Sequence, residues 1–201
     1  SGHNVNVLVL DTEVYSNTGG QRSRATPQAA VAQFAAAGKG QSKKDLSIAC
    51  LTYGIFVAQC AFGFNRQQYI NAIQEAEAFD GPALIVVYCP CIAHQVKKSL
   101  SDQGVQQRLA VESGYWPVFT FNPSVKKGKS PLKIYSKAPK VDKIREFMDA
   151  ENRFGQLERT FPERAKQLQA GLAHDIQERY KMLDMYNNHF ATEAKAAVAE
   201  Q

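Results

Sequence analysis

The sequence predicts an α/β fold in which helices flank a parallel sheet. Three apolar runs rich in β-branched residues, 5–10, 55–61 and 83–88, are typical of strands buried on both faces of such a sheet. Helical patterns alternate with these runs, as expected for parallel strands joined by helices. The chain has 201 residues, 44% of them hydrophobic and 21% charged, so it can bury a sizeable core.

The first strand, 5–10, leads into a polar loop. Thr26 and Pro27 have the side chains typical of a helix N-cap and first helical position, and they predict a helix over the alanine-rich residues that follow. Gly38 and Gly40 are expected to end this helix.

A short helix is predicted over 45–53, ending at Gly54, just before the second strand. Asn65 is the expected N-cap of an amphipathic helix that extends to Phe79. After the third strand, a further helix is predicted over about 105–113.

The character of the chain changes after this helix. Residues 115–139 are rich in Pro, Lys and aromatic side chains, which favours an extended segment that wraps around the domain. From Val141 the chain is predicted to be helical. Apolar residues then recur at three- and four-residue steps, which indicates one long helix, or two that meet near Gly171. A frayed tail is expected over 191–201.

We therefore predict two domains, an α/β domain over 1–115 and an extended and helical extension over 116–201. No apolar run approaches the ~20 residues that span a bilayer. The chain lacks a start methionine and enters its first strand abruptly, so we expect it to be a piece of a longer polypeptide.

The net charge of +5 is concentrated in residues 124–145, which hold eight Lys or Arg residues and one acid. The plain interpretation is a solvated loop and helix start. A docking face for an acidic protein partner is the alternative. Nucleic-acid binding is less favoured, because no recognised nucleic-acid-binding module accompanies the charge.

Four cysteines fall into two pairs. Cys50 and Cys60 have apolar neighbours in the sequence and are interpreted as small core residues. Cys89 and Cys91 bracket a proline at the end of the third strand, where a ligand site would lie. A disulfide framework is not expected in a chain of this size without a secretion signal.

The loop after the first strand has the composition of a cofactor site. The Thr12 hydroxyl and the backbone carbonyls beside it are hard oxygen ligands that suit Mg²⁺, which commonly binds together with a diphosphate. Asn17 and Thr18 can donate hydrogen bonds, and Gly19 and Gly20 let the backbone approach a ligand closely. On composition alone, an ordinary turn remains the alternative.

The run Asp-Thr-Glu-Val-Tyr-Ser-Asn-Thr-Gly-Gly-Gln, residues 11–21, strongly resembles the thiamine-diphosphate domain of pyruvate:ferredoxin (flavodoxin) oxidoreductases. Other segments resemble the same family, namely 34–39, 43–46, 52–54, 75–77, 81–85, 90–94, 114–116 and 161–163. The resemblance covers nearly the whole chain. It implies that 1–115 is the C-terminal portion of the thiamine-diphosphate-binding domain and that 116–201 is its extension.

The resemblance also implies roles for the loop residues. The Thr12 hydroxyl and the Val14 carbonyl would bind the Mg²⁺ ion that anchors thiamine diphosphate. Asn17 would be catalytic, with its amide close to the thiazolium ring and the substrate; a local Asx turn is the alternative for this side chain. Asn17 would also bind the cofactor, together with Ser16, Thr18, Gly19 and Gly20.

Cys91 resembles the family's last ligand to the [4Fe–4S] cluster nearest the thiamine, the alternative being a buried free thiol. Cys89 departs from the family pattern, where a serine is usual, and its role is left open between a tuning neighbour, another ligand and none. His94 is interpreted as a structural hydrogen-bonding residue. The family's Gly-Asp-Gly motif and its other cluster cysteines are not in this sequence, so the segment alone is expected to be inactive.

The reaction implied is the oxidative decarboxylation of pyruvate to acetyl-CoA and CO₂ in anaerobic metabolism. Electrons would pass through iron–sulfur clusters to ferredoxin or flavodoxin, with coenzyme A as co-substrate. The expected partners are the rest of the oxidoreductase and the electron carrier, the full enzyme is expected to be a homodimer, and neither nucleic acid nor a membrane span is expected. The expected location is the cytoplasm, or an anaerobic organelle in a eukaryote. A pyruvate:NADP oxidoreductase fusion and a non-catalytic structural remnant are the alternatives.

Overall fold

A five-stranded sheet lies at the centre of the computed structural model, which describes residues 3–97 and 99–199. The strands of the chain are β1 (Asn6–Asp11), β2 (Val14–Tyr15), β3 (Gln21–Arg22), β4 (Phe56–Cys60), β5 (Ala83–Tyr88), β6 (Phe119–Phe121) and β7 (Leu132–Ile134). The order across the sheet is β1-β5-β4-β6-β7, and β2 and β3 form a separate small hairpin. Strands β1, β5 and β4 are parallel, whereas β6 and β7 add to the sheet antiparallel. The predicted α/β class and its three strands are confirmed.

Helices cover the sheet and complete the chain. They are α1 (Leu46–Leu51), α2 (Arg66–Ala78), α3 (Gln103–Glu112), α4 (Val141–Asp149), α5 (Asn152–Thr160) and α6 (Pro162–Ala199). Asp45 and Asn65 cap α1 and α2, because their side chains accept hydrogen bonds from backbone N–H groups in the first turn, at 3.0 and 2.9 Å. Helix α6 is one continuous helix through Gly171, which confirms the first of the two predicted alternatives. It continues to Ala199, so most of the expected frayed tail is helical; residues 200 and 201 lie outside the described chain.

The predicted helix after Pro27 is wrong. Residues 23–45 form bends, turns and isolated bridges instead. Ala29 and Phe34 have positive φ values of 69° and 63°, which a right-handed helix does not allow. The backbone donors of this segment have distant partners, as when Val31 N–H donates to the Arg153 carbonyl at 2.9 Å. These tertiary hydrogen bonds override the local preference of the alanines for a helix.

The predicted extended segment 115–139 contains a hairpin that belongs to the sheet. Strand β6 pairs with β4, and β7 pairs with β6. The indole N–H of Trp116, just before β6, donates to the Cys60 carbonyl at 2.9 Å. The two strands have three residues each, which is too short for a clear alternating pattern. The division of the chain at 115/116 stays a prediction.

Strand β1 is not buried among the described residues, contrary to expectation. Val5, Val7, Leu8 and Leu10 are 47% to 59% exposed, whereas β4 and β5 are buried along their whole length. The reason is topological: β1 is the edge of the sheet and pairs only with β5 within the described chain.

Two layers of apolar side chains hold the helices to the sheet. Helix α2 packs on one face through Ala72 and Ala76. The other face packs against a larger cluster that includes Tyr88, Trp116 and Phe147 and so joins the C-terminal helices to the sheet. Within 3–97 and 99–199, no helix has both the length and the apolar character needed to cross a bilayer.

Candidate functional site

The candidate site lies where β1 and β5 end side by side. In their parallel register Asp11 is opposite Tyr88, so the loop after β1 and the segment after β5 emerge at the same edge of the sheet. The backbone N–H of Cys89 donates to the Asp11 carbonyl at 3.1 Å and extends this pairing by one residue. The carboxyl ends of parallel strands are the usual ligand-binding edge of an α/β sheet.

Two oxygen atoms of the loop form a close pair. The Thr12 hydroxyl donates to the Val14 carbonyl at 3.2 Å, and the Ser16 hydroxyl donates to Thr12 Oγ1 at 2.8 Å. Two ligands at right angles on Mg²⁺, each about 2.05 Å from the ion, are about 2.9 Å apart. The separation of Thr12 Oγ1 and the Val14 carbonyl oxygen is therefore close to what one Mg²⁺ ion requires.

Most of the predicted loop residues share one open cavity of about 500 Å³. Thr12, Val14, Ser16, Asn17 and Thr18 line it. Asn17 is exposed, and within the described chain its amide makes no hydrogen bond; the Gly19 N–H donates to the Ser16 carbonyl instead. The Asx turn considered for Asn17 is therefore not formed, and the amide is available to a ligand.

Gly19 and Gly20 line a neighbouring cavity rather than this one. Their φ values, 108° and 82°, are in the region that favours glycine. A Cβ atom on Gly20 would lie 3.2 Å from the Cβ of Ala93, which is a tight contact. The backbone conformation therefore already requires glycine at both positions, and their role in cofactor binding stays a prediction.

Cys91 lies beside the oxygen pair. Its thiol donates to Ser16 Oγ at 3.5 Å, and its sulfur accepts a hydrogen bond from the Ala93 N–H at 3.4 Å. The structure thus brings Cys91 together with Ser16 and Thr12. Cys89 is half-buried, and burial together with the neighbouring Cys91 raises the pKa of its thiol. Across 3–97 and 99–199, no group of three or more His, Cys, Asp or Glu side chains could hold a metal ion.

A buried ionic cluster beneath the loop was not foreseen from the sequence. Glu13, fully buried and with a φ of 62°, lies between the two oxygen donors in sequence. Its carboxylate accepts a hydrogen bond from Tyr115 Oη at 2.5 Å and pairs with Lys43 Nζ at 3.2 Å and Arg153 Nη2 at 2.8 Å. Burial alone would raise the pKa of Glu13, but Lys43 and Arg153 outweigh it and lower the pKa to about 2. Glu13 is therefore ionised at neutral pH.

The buried ionic cluster extends to the end of β5. Arg153 Nε donates to Glu151 at 2.6 Å, and Glu151 also accepts hydrogen bonds from Tyr88 and Gln106. His94 lies between this cluster and the loop, with Nε2 2.7 Å from the Thr12 carbonyl oxygen. Burial and the nearby Arg153 lower the pKa of His94, so the ring is neutral and Nε2 carries the proton that the carbonyl accepts. The predicted structural role of His94 is confirmed.

The contacts of the buried ionic cluster hold the loop in place at Glu13. Thr26 Oγ1 donates to the Glu13 carbonyl at 2.5 Å, so the residue between Thr12 and Val14 is held through both its side chain and its backbone. Lys43 also pairs with Asp11 at 2.7 Å. The carboxylates of Asp11 and Glu13 are thus both occupied by cations of the chain, and neither is free to bind a metal ion.

Acid is expected to destabilise the chain through Glu13. Its pKa is about 2 in the folded chain and about 4.5 in the unfolded one, so the stabilisation is complete above pH 4.5 and is lost as the pH falls towards 2. This pKa difference corresponds to roughly 3 kcal/mol of unfolding free energy, of which more than half is lost by pH 3. Urea unfolding at pH 7 and pH 3 measures it, with the fluorescence of Trp116, the one tryptophan, as the signal.

The variant Glu13→Gln is the control, because it lacks this titration. The stability difference between the wild-type chain and this variant should shrink on acidification. A difference that stays constant from pH 7 to pH 3 would contradict the low pKa of Glu13.

Comparison with known proteins gives relatives of high similarity. The chain is 47% identical over 188 residues to the pyruvate:ferredoxin oxidoreductase of Moorella thermoacetica, which is 91% of this chain and 16% of that protein. It is 47% identical over 184 residues to the pyruvate-flavodoxin oxidoreductase of Trichormus variabilis, covering 90% of this chain and 15% of that protein. The mitochondrial pyruvate dehydrogenase [NADP(+)] of Euglena gracilis is 42% identical over 182 residues, 90% of this chain and 10% of that protein.

No protein-family model matches the chain. The chain spans about one sixth of the length of the first two relatives. The similarity nevertheless extends over nearly all of its own residues and agrees with the resemblance carried by the loop at 11–21. The chain is therefore a homologue of a segment of the pyruvate:ferredoxin and pyruvate-flavodoxin oxidoreductases.

Proposed function

We propose that this chain is part of a 2-oxoacid oxidoreductase that decarboxylates pyruvate oxidatively to acetyl-CoA and CO₂. Its share of the work is to bind Mg²⁺ and thiamine diphosphate and to supply one ligand of an iron–sulfur cluster. The observation that carries this proposal is a pair of oxygens, Thr12 Oγ1 and the Val14 carbonyl, which lie 3.2 Å apart. Hydrogen bonds through Ser16 link this pair to Cys91. The names of the relatives support the substrate class.

Thr12 and Val14 would hold the Mg²⁺ ion, and the diphosphate would complete part of its coordination. Thiamine diphosphate, when bound, supplies a nucleophilic carbon and accepts the electron pair left by decarboxylation. Asn17, with its free amide at the mouth of the same cavity, would donate a hydrogen bond to the carbonyl oxygen of the substrate. The remaining cofactor contacts would come from Ser16, Thr18, Gly19 and Gly20.

A metal carboxylate ligand would have to come from elsewhere in the parent polypeptide. Asp11 and Glu13 are engaged by Lys43 and Arg153, and a Mg²⁺–diphosphate site normally includes one or two carboxylates. The 201-residue chain alone would therefore bind the cofactor weakly and be inactive.

Cys91 would be one thiolate ligand of a [4Fe–4S] cluster, with three further ligands from outside this chain. The N–H of Ala93 already donates to its sulfur, a contact that stabilises thiolates and tunes cluster potentials. Such a cluster would take electrons from the thiamine site and pass them on to ferredoxin or flavodoxin, and coenzyme A would accept the acetyl group. The full enzyme would act as a homodimer, in the cytoplasm or in an anaerobic organelle.

Two alternatives to this proposal are a fusion that uses NADP⁺ and a non-catalytic remnant. The Euglena gracilis relative favours a fusion that uses NADP⁺; at 42% identity it is less similar than the Moorella thermoacetica enzyme, at 47%. A non-catalytic remnant would also retain the fold. The intact group of Thr12, Asn17 and Cys91 weighs against a remnant, because the described contacts do not require the Asn17 side chain.

Removing the Thr12 hydroxyl tests the cofactor site. In the full-length oxidoreductase, Thr12→Val is expected to weaken Mg²⁺-dependent binding of thiamine diphosphate by about tenfold to a hundredfold, because one ligand oxygen is lost. Isothermal titration of the apo-enzyme with thiamine diphosphate, at a fixed Mg²⁺ concentration, measures this change.

Thr52→Val is the matched control, since the Thr52 hydroxyl is exposed and, among the described residues, bonds only to the Ala49 carbonyl within its own helical turn. Its affinity should equal that of the wild type. An unchanged affinity in Thr12→Val would contradict the metal site, and a wild-type enzyme that binds no thiamine diphosphate would favour the remnant.

A further inference from the structure

Three side chains link Cys91 to the Val14 carbonyl by successive hydrogen bonds. The Cys91 thiol donates to Ser16 Oγ at 3.5 Å, the Ser16 hydroxyl donates to Thr12 Oγ1 at 2.8 Å, and the Thr12 hydroxyl donates to the Val14 carbonyl at 3.2 Å. All three hydrogen bonds run the same way, from the sulfur towards the carbonyl. Ser16 Oγ also lies 3.5 Å from the Val14 carbonyl oxygen, a more distant acceptor than Thr12 Oγ1. We call this series the Cys91–Val14 relay.

The direction of the relay depends on its two ends. A hydroxyl has a single proton to donate, whereas its oxygen can accept from several sides. If Thr12 Oγ1 and the Val14 carbonyl give lone pairs to a cation, the Thr12 proton loses its acceptor. Among the described neighbours of Thr12 Oγ1, Ser16 Oγ at 2.8 Å is the acceptor that remains.

The other end allows the same reversal. A Cys91 sulfur that binds iron has no proton, so it can only accept a hydrogen bond. Ser16 can then donate either to Thr12 Oγ1 or to the sulfur. When a cation at Thr12 turns the Thr12 proton to Ser16, the sulfur is the acceptor left to Ser16, and the relay runs from Thr12 through Ser16 to Cys91. The Ser16 hydroxyl thus points at Thr12 when the cation site is empty and at the sulfur when that site is filled.

We propose that Ser16 is a positioning residue that couples cation binding at Thr12 and Val14 to the reduction potential of the cluster bound by Cys91. This inference rests on the proposed function. Reduction adds negative charge to a cluster, so a hydrogen bond to its sulfur favours the reduced form and raises the potential. Binding of the cation turns the Ser16 proton to the sulfur and so prepares the cluster to accept an electron.

Other groups near the sulfur do not have this property. The Ala93 N–H donates to Cys91 Sγ at 3.4 Å and is a backbone donor that cannot reverse. The Thr18 hydroxyl lies in the same loop, but it bonds to Gln21 and to the Tyr15 carbonyl and is not part of the relay. Of the described hydrogen bonds to Cys91, only the one with Ser16 can change direction.

The test is a redox titration of the full-length oxidoreductase followed by electron paramagnetic resonance. It is run with Mg²⁺ and thiamine diphosphate bound, and again after both are removed with a chelator. Cys91→Ser first identifies which cluster signal belongs to Cys91. Ser16→Ala is then expected to lower the reduction equilibrium constant of that cluster about tenfold in the loaded enzyme, equivalent to about 59 mV for one electron.

The dependence on Mg²⁺ distinguishes the relay from a simple packing role. After removal of the cation and cofactor, the potentials of wild type and Ser16→Ala should nearly coincide, because the wild-type hydroxyl then points at Thr12. Ser16→Thr keeps a hydroxyl and should restore most of the wild-type shift. Ser124→Ala, in an exposed turn outside the relay, is the matched control and should behave as the wild type.

Several results would overturn the proposal. If Cys91→Ser leaves every cluster signal unchanged, the proposed function fails and the coupling fails with it. If Cys91→Ser alters one signal but Ser16→Ala does not shift its potential, the coupling alone is wrong.

The dependence on Mg²⁺ gives two further outcomes. A potential shift in Ser16→Ala that is equal with and without Mg²⁺ contradicts the reversal. If Ser16→Ala loses its cluster, Ser16→Thr decides: a wild-type potential with its Mg²⁺ dependence supports the relay, and an absent dependence overturns it.

Discussion

Glu13→Gln is expected to destabilise the chain by about 3–5 kcal/mol, the cost of breaking a buried ion pair from one side. The carboxylate is fully buried and compensates two cations, Lys43 and Arg153. Glutamine has nearly the same shape, so the loss isolates the charge rather than the packing. With glutamine at this position, Arg153 keeps Glu151 and Lys43 keeps Asp11 as a partner. The two buried cations nevertheless lose the carboxylate that they share.

Urea unfolding of the 201-residue chain at pH 7, followed by Trp116 fluorescence, measures the change. Glu163→Gln is the matched control, because the Glu163 side chain is 84% exposed and, within the described part of the chain, pairs only with Lys166 on the same helix. Exposed pairs of this kind contribute less than about 1 kcal/mol. A loss below about 1 kcal/mol in Glu13→Gln would show that the cluster does not hold the loop as described.

Phe147→Ala is expected to cost about 3–5 kcal/mol, the usual range for a fully buried phenylalanine. Its ring, on α4, stacks on Tyr115 with centroids 4.3 Å apart and also contacts Phe154 at 6.0 Å. The Phe147→Ala substitution creates a cavity where the C-terminal helices meet the sheet. It also removes the support of the Tyr115 ring, whose hydroxyl donates to Glu13.

The same unfolding experiment measures this loss, with Phe34→Ala as its control. Phe34 is 83% exposed, so its removal should change the stability by no more than about 0.5 kcal/mol. Because Phe147 acts on Glu13 through Tyr115, the effects of Phe147→Ala and Glu13→Gln should not add in the double variant. Additive losses would contradict a connection between the C-terminal helices and the loop.

The regular elements of this fold were predictable because their signals are local. The strand over 83–88 and the helix that begins after Asn65 match the structure within a residue. The helix expected after Pro27 was wrong for the opposite reason. Its alanines favour a helix, but hydrogen bonds to residues far away in sequence, such as Arg153, decide the conformation.

The site was predictable only where a motif marked it. The loop at 11–21 identified Thr12, Val14 and Ser16 by resemblance, and no physical rule of spacing would have joined them to Cys91. The ionic cluster had no such signal. Glu13, Lys43 and Arg153 are 30 to 140 positions apart in sequence, and a single charged residue in a sequence is normally taken to be solvated.

The outer side of β1, which no described strand covers, determines how the 201-residue chain has to be handled. A strand that no described residue pairs along one side, with valines and leucines exposed on its faces, is a template on which another strand can add. Two copies of the 201-residue piece can meet along this side, and we expect it to self-associate as its concentration rises. Dilute samples and a check by light scattering are therefore the conditions under which its unfolding reports on one molecule.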